Sequence, residues 1–159
     1  MEKTNEKLVI SPEELQKHWQ GHRGLTRRVI EAFPEKELFH HSIGGMRPFG
    51  EMIMELLAIA GPGIREIVTG KQESYNHDLG ITEKSELLER WDETTHIINQ
   101  YFPRIKPEHF HHPLKSFGRF EGNVIVNILY FIDNEIHHRG QGYVYLRSLN
   151  IEPPFFWEH

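Results

Sequence analysis

From Glu121 to Leu149 the sequence reads as one long helix that is apolar on two opposite sides, which limits the possible folds more than any other feature. At about 100° per residue, Ile125, Leu129, Ile132, Ile136 and Tyr143 share one face. Asn127, Phe131, Asn134, His138 and Tyr145 share the other. A helix with two buried faces is either central to its domain or part of an oligomer interface. The expected assembly is therefore a homodimer with helical faces in contact. The second face mixes polar groups with aromatics, as the wall of a pocket does.

Three more helical segments precede it. Ser11-Pro12-Glu13-Glu14 is a strong helix start, with Ser11 as N-cap, Pro12 in the first turn and Glu14 closing a capping box. Leu15, Trp19, His22, Thr26, Val29 and Phe33 follow at helical spacing, and Pro34 ends the segment. Phe39 to Met46 reads as a linker. A second helix is expected from Arg47-Pro48, kinked or broken at Gly61-Pro62-Gly63 and stopped by Gly70. Residues 71–81 are polar loop. Thr82 is the expected cap of a third helix carrying Leu87, Leu88, Trp91, Ile98, Tyr101 and Phe102, ended by Pro103. Residues 103–119 read as a long crossover without a strand, and Asn150 as a left-handed cap after the last helix. The aromatic tail Pro153-Pro154-Phe155-Phe156-Trp157 is expected to pack back onto the helices. The expected whole is a single all-α domain over residues 1–159, a four-helix bundle with little or no sheet.

Composition excludes several functions. The 159 residues contain no cysteine, which removes disulfides, thiolate metal sites and a cysteine nucleophile and suits a reducing cytoplasm. No apolar run is long enough to span a membrane, and Met1 to Leu8 is too charged for a signal peptide. A net charge of -5 with scattered Lys and Arg argues against nucleic acid as a partner. There is no nucleophile-elbow serine, and Gly44-Gly45 lacks the pattern of a phosphate-cradling loop. Twelve histidines include the pairs His40-His41, His111-His112 and His137-His138, of which the first two fall in expected loops with solvated or packing roles.

The chemistry concentrates between the second and fourth helices. Glu55 shares a stripe with Met52 and Ile59, and a carboxylate among apolar neighbours needs a metal, a histidine or an arginine as partner. Asn134 and His138 are four apart on one helix and point at one spot, with His137 beside them. Carboxylate, imidazole and amide oxygen together form a mixed N/O set suited to Zn, Ni, Mn or Fe. The plainer reading is a buried Glu55–His138 hydrogen bond that ties two helices together. Met52, Ile59 and Phe131 are expected to wall the site.

Asp133-Asn134-Glu135-Ile136-His137-His138-Arg139-Gly140-Gln141, running into Tyr143-Val144-Tyr145-Leu146-Arg147, closely resembles the last-helix motif of the DinB/YfiT-like proteins. Glu152-Pro153-Pro154 after it agrees, as does the helix order over roughly residues 11 to 158. The resemblance implies a four-helix bundle, usually a homodimer, with a long crossover before the last helix. It also implies a divalent metal held by three histidines, one on the second helix and two spaced four apart on the last. His138 matches the second of the last-helix pair; Asn134 stands in place of the first, and Glu55 in place of the second-helix histidine. Members with known activity resemble thiol-dependent transferases and isomerases, and many are called metal-dependent hydrolases. Two functions follow as expectations: a metal-assisted hydrolase or thiol transferase acting on a small molecule, with His137 or Arg47 as a nearby donor, or a non-catalytic, stress-associated dimer with a degenerate metal site.

Overall fold

In a computed structural model residues 9–159 are described, and the charged Met1–Leu8 segment lies outside them. Five helices and one hairpin follow in order: α1 (Pro12–Ala32), α2 (Glu35–His40), α3 (Phe49–Thr69), α4 (Lys84–Tyr101), β1 (Pro113–Ser116), β2 (Phe120–Asn123) and α5 (Val124–Ser148). The long helices α1, α3, α4 and α5 are the four segments expected from sequence. α1 and α3 each pack against both α4 and α5, so the mostly helical fold is a four-cornered bundle. One apolar core gathers Val29, Phe33, Phe49, Ile53, Trp91 and Tyr145; the other gathers Trp19, Ile64, Phe102, Ile128 and Phe131.

Local signals account for the ends of several helices. Ser11 Oγ accepts from the Glu14 N–H at 3.1 Å while the Glu14 carboxylate accepts from the Ser11 N–H at 2.7 Å, completing the capping box. Gly70 closes α3 at φ 68°, and Asn150 follows α5 at φ 59°, both in the left-handed region. α3 and α5 approach closely because Gly63 faces the Phe131 ring and Gly142 faces the Phe49 ring. A Cβ at either glycine would lie 2.4 or 2.5 Å from the ring, inside van der Waals contact.

The structure departs from the sequence reading in several places. Pro62 does not break α3, which is helical without interruption from Phe49 to Thr69. Its missing N–H removes one bond from a helix otherwise held by burial against α4 and α5. The short α2 occupies part of the expected linker, with buried Leu38 as its anchor. α4 takes Glu83, not Thr82, as N-cap, and no side chain of its own caps it. Glu35 of α2 accepts the Lys84 N–H instead, at 2.7 Å, so the cap is tertiary.

The crossover contains a strand pair, β1 and β2, in antiparallel register from Pro113↔Asn123 to Ser116↔Phe120. At its tip both Phe117 and Gly118 have positive φ, 55° and 67°. The three-residue connection Phe117–Arg119 closes a turn through the Arg119 N–H on Ser116 O at 3.0 Å, with Phe117 and Gly118 as its central pair; a primed turn needs positive φ at both, but a phenylalanine gives no turn signal. Last, the tail returns to the bundle without its rings. Glu158 pairs with Arg28 at 3.2 Å, while Phe155, Phe156 and Trp157 remain 50%, 67% and 61% exposed.

α5 starts at Val124, where Asn123 Oδ1 accepts the Val126 N–H at 2.9 Å. Of its two apolar faces, the one bearing Asn127, Phe131, Asn134, His138 and Tyr145 is buried. The opposite face is buried only at Ile132; Leu129 and Ile136 are 42% and 38% exposed, since α1 and α3 together do not reach around it.

Candidate functional site

Glu55 on α3 and Asn134 and His138 on α5 converge. The carboxylate is 12% exposed, and its Oε1 lies 3.2 Å from His138 Nε2 and 3.3 Å from Asn134 Nδ2, which donates to it. Its Oε2 accepts from Arg47 Nη2 at 2.6 Å. His77, from the loop after α3, brings Nδ1 to 4.0 Å of the same oxygen. The His138 hydrogen bond, followed by the Arg47 bond, holds the Glu55 carboxyl down at about 2 against the cost of burial.

Gln141 sets the orientation of His138. Its amide nitrogen is turned to the Met46 sulfur, and its Oε1 lies 2.7 Å from His138 Nδ1. An amide oxygen only accepts, so Nδ1 carries the hydrogen and Nε2 is left facing Glu55. At 3.2 Å Nε2 donates to Glu55, the bond that lowers the carboxyl, only when the ring carries both hydrogens; the neutral ring turns a lone pair to the carboxylate and is repelled. A proton or a metal cation between them turns that repulsion into attraction. The Asn134 amide, rotated, turns its oxygen to the same point.

The walls come from one turn further along each helix. Ile59 follows Glu55 by four residues, and Tyr130 and Phe131 precede Asn134. With Tyr75, Phe117 and Phe120 they line a cavity of about 240 Å³. Burial first, and then the Glu55 charge, push the Tyr75 and Tyr130 hydroxyls up. Met52 is buried in the core rather than lining this cavity.

A second polar cluster sits on the neighbouring side of α5. Glu135 Oε1 accepts from Thr26 Oγ1 at 2.7 Å, and the carboxylate lies 3.6 Å from Arg23 and 3.9 Å from Arg139. Arg23 stacks over Trp91, its guanidinium carbon 3.4 Å from the ring centroid, and donates to Trp91 O at 3.0 Å. Arg139 donates to His22 Nδ1 at 2.9 Å. Burial, and then the positive Arg139 beside it, push His22 down to about 3, so it is neutral. His18 and His159 join His22, the three ring nitrogens lying within 4.8 Å of one another. Because Arg139 is an obligate donor, His22 carries its hydrogen on Nε2, pointed at His18 Nε2 at 3.1 Å. That tautomer opposes a metal at this trio.

All three residues singled out in the sequence therefore meet, and His77 is the neighbour the sequence did not reveal. It lies in a polar loop without periodicity, and only the return of that loop across α3 brings it to Glu55. His137 is exposed and packs edge-on against the His138 ring, with centroids 5.0 Å apart. His111 and His112 are exposed, as expected for loop residues, as is His40, which ends α2; His41 packs its Nε2 2.8 Å from Ser148 Oγ.

No curated protein sequence matches the chain. A DinB-like protein from Bacillus cereus ATCC 10987 has a similar solved structure, with TM-score 0.72 and 15% identity over 91% of this chain and 97% of that one. A DinB-like protein from Bacillus subtilis is similar at TM-score 0.68 and 19% identity, over 91% of this chain and 99% of that one. At such identities the likeness is one of fold alone. The sequence itself matches the profile of the DinB family over residues 1–157, and with that match across nearly its whole length the chain belongs to the DinB family.

Proposed function

We propose that the site between α3 and α5 is the active site of a metal-dependent enzyme acting on a small molecule, as a hydrolase or a thiol-dependent transferase. Glu55, Asn134 and His138 would hold a divalent ion, one of Zn, Ni, Mn or Fe. The observation that carries this reading is the orientation of His138, whose Nε2 is aimed at the Glu55 carboxylate by the Gln141 bond at 2.7 Å. Metal-ligating histidines are oriented in this way through their second nitrogen. One imidazole, one carboxylate and one amide oxygen make a mixed donor set that borderline divalent ions accept. Such an ion supplies Lewis acidity toward water or a thiol. The protein's own residues bind and orient. Arg47, 41% exposed, keeps Glu55 ionised and is accessible to an anionic substrate group. His77 stands at the rim, where it can accept or return a proton.

Metal content of the purified, untagged protein tests the reading, followed by titration with Zn²⁺ and Mn²⁺. Uptake of one ion per chain, abolished in His138→Ala and in Glu55→Gln, is the expected result, and turnover is then sought with low-molecular-weight thiols. No uptake by the wild-type protein at millimolar metal would overturn it.

One observation favours a second reading. Arg47 Nη2 at 2.6 Å from Glu55 already supplies a cation, as a degenerate metal site in a non-catalytic, stress-associated protein would. Under that reading Arg47→Ala creates metal affinity that the wild type lacks. The uncovered apolar side of α5, with Leu129, Ile136 and Val144, supports a homodimer in either case. A monomer by light scattering at high micromolar concentration would exclude the dimer. No helix among the described residues is long and apolar enough to cross a membrane. The lack of cysteine is in keeping with a cytoplasmic location.

A further inference from the structure

One helical turn from the Glu55–His138 pair, the hairpin and the loop after α3 border an open-mouthed cleft of about 240 Å³ lined by Tyr75, Phe117, Phe120, Tyr130 and Phe131, with Phe120 and Tyr130 half-exposed at its mouth. Three of these rings pack together: Tyr75 lies 5.5 Å from Phe117 and 5.8 Å from Phe120, centroid to centroid. The opposite end of the cavity reaches Ser116 and Asn127, both buried, where Ser116 Oγ donates to Asn127 Oδ1 at 2.8 Å. Cavities of about 150 Å³ with apolar walls admit benzene. Here the larger volume accommodates one ring and its substituent.

One carboxylate ties two parts of the wall to α3, alongside the Ser116–Asn127 and Arg65–Glu73 bonds. Glu66 on α3, 5% exposed, accepts the Phe117 N–H through Oε1 at 2.8 Å and the Glu73 N–H through Oε2 at 2.7 Å. One bond fixes the hairpin tip and the other the start of the loop that carries Tyr75 and His77. Phe117 is held at φ 55°, a conformation that bulky residues rarely adopt and that persists only where surrounding contacts impose it. Such strain collects at ligand clamps. Glycine or asparagine would form the same turn without strain, but neither would put a ring against Tyr75.

We infer that this cleft is the subsite for the apolar body of the substrate, a single aromatic ring or a flat group of that size, whose polar end meets Glu55 and His138. Tyr75 joins the two: its ring lies 4.3 Å from that of His77, whose Nδ1 is 4.0 Å from the Glu55 carboxylate, and Tyr130 stands one turn before Asn134 on α5. Glu66 is a positioning residue that touches the walls and not the ligand. The inference rests on the chemistry proposed for Glu55 and His138, and the two are separable by experiment.

Benzyl alcohol titrated into chelator-treated, metal-free protein, followed by amide NMR, tests it. Saturable shifts are expected at Tyr75, Phe117, Phe120, Asn127 and Phe131, with a dissociation constant in the range of about 1 mM for so few atoms. Phe120→Ala and Tyr130→Ala, both at exposed positions that the fold tolerates, should weaken binding at least about fivefold. Zn²⁺ uptake by these variants should match that of the wild type. Glu66→Gln should speed hydrogen exchange at the Phe117 and Glu73 amides and weaken the probe while leaving Zn²⁺ uptake unchanged. Shifts confined to Phe155, Phe156 and Trp157, or no saturation by about 50 mM, would overturn the subsite. Binding of benzyl alcohol without metal uptake would keep the subsite and remove the metal-dependent reading; the reverse result would remove only the subsite.

Discussion

α5 carries two polar clusters on adjacent sides, built from the same residue types and finished differently. Glu135 and Arg139 face α1, with Arg23, Thr26 and His22 closed around them. Asn134 and His138 face α3, where Glu55 meets them beside a cavity. In the first cluster the charges are buried, two guanidiniums about one carboxylate, and Arg23, although its positive charge is desolvated to a pKa of about 10, remains protonated. In the second the anion is partly exposed, one of its cations is on the surface, and an imidazole nitrogen is aimed at it with room alongside. Residue identity alone does not separate a closed ion cluster from an accessible one. The difference lies in whether a partner can be exchanged without leaving a charge buried.

The contrast can be broken by substitution. Glu135→Ala leaves Arg23 and Arg139 buried without a counter-charge and should cost about 3–5 kcal/mol in urea unfolding, with Zn²⁺ affinity of the folded fraction unchanged. Acidification should act through the same cluster. His22 is held at about 3, below the ordinary imidazole value of 6.5, so the unfolded chain binds the extra proton first. Stability then rises with pH between these values, and its His22 share is lost as pH falls from 6.5 toward 3. At pH 5 that loss is about 2 kcal/mol relative to neutral pH, and His22→Gln should flatten it in unfolding curves taken at both pH values.

The site on the other side should respond the opposite way. Glu55→Gln should change stability by about 1 kcal/mol or less, because Arg47 can return to water, while ending Zn²⁺ uptake. A loss as large as that from Glu135→Ala would make the two clusters one kind. Gln141→Ala sharpens the comparison further. Stability should stay within about 0.5 kcal/mol, and metal affinity should fall about tenfold as His138 loses its orientation.

The long helices were legible because their periodicity and caps are local, as at Ser11, Gly70 and Asn150. So were Glu55, Asn134 and His138, since helical spacing fixes their direction and the DinB-like motif marks the last helix. What escaped the sequence depends on distant partners. The start of α4 is capped by Glu35 from another helix, and the hairpin turns at a phenylalanine held by Glu66. His77 reaches the site through a loop with no pattern of its own. The apolar side of α5 was read as buried, yet in one chain it is not covered.

The width of the site is set by two hydrogen atoms that belong to none of its polar residues. Along α3, Phe49 meets Gly142 on one side of Glu55, and Gly63 meets Phe131 on the other, so the two close approaches bracket the carboxylate and act as a gauge block between the helices. Exchanging either glycine for alanine would preserve every polar side chain in the list and change the gap they share. A DinB relative could therefore retain every polar residue and have lost the site, or carry other residues at these positions, as this chain carries Glu55 and Asn134, and keep the spacing that brings them together.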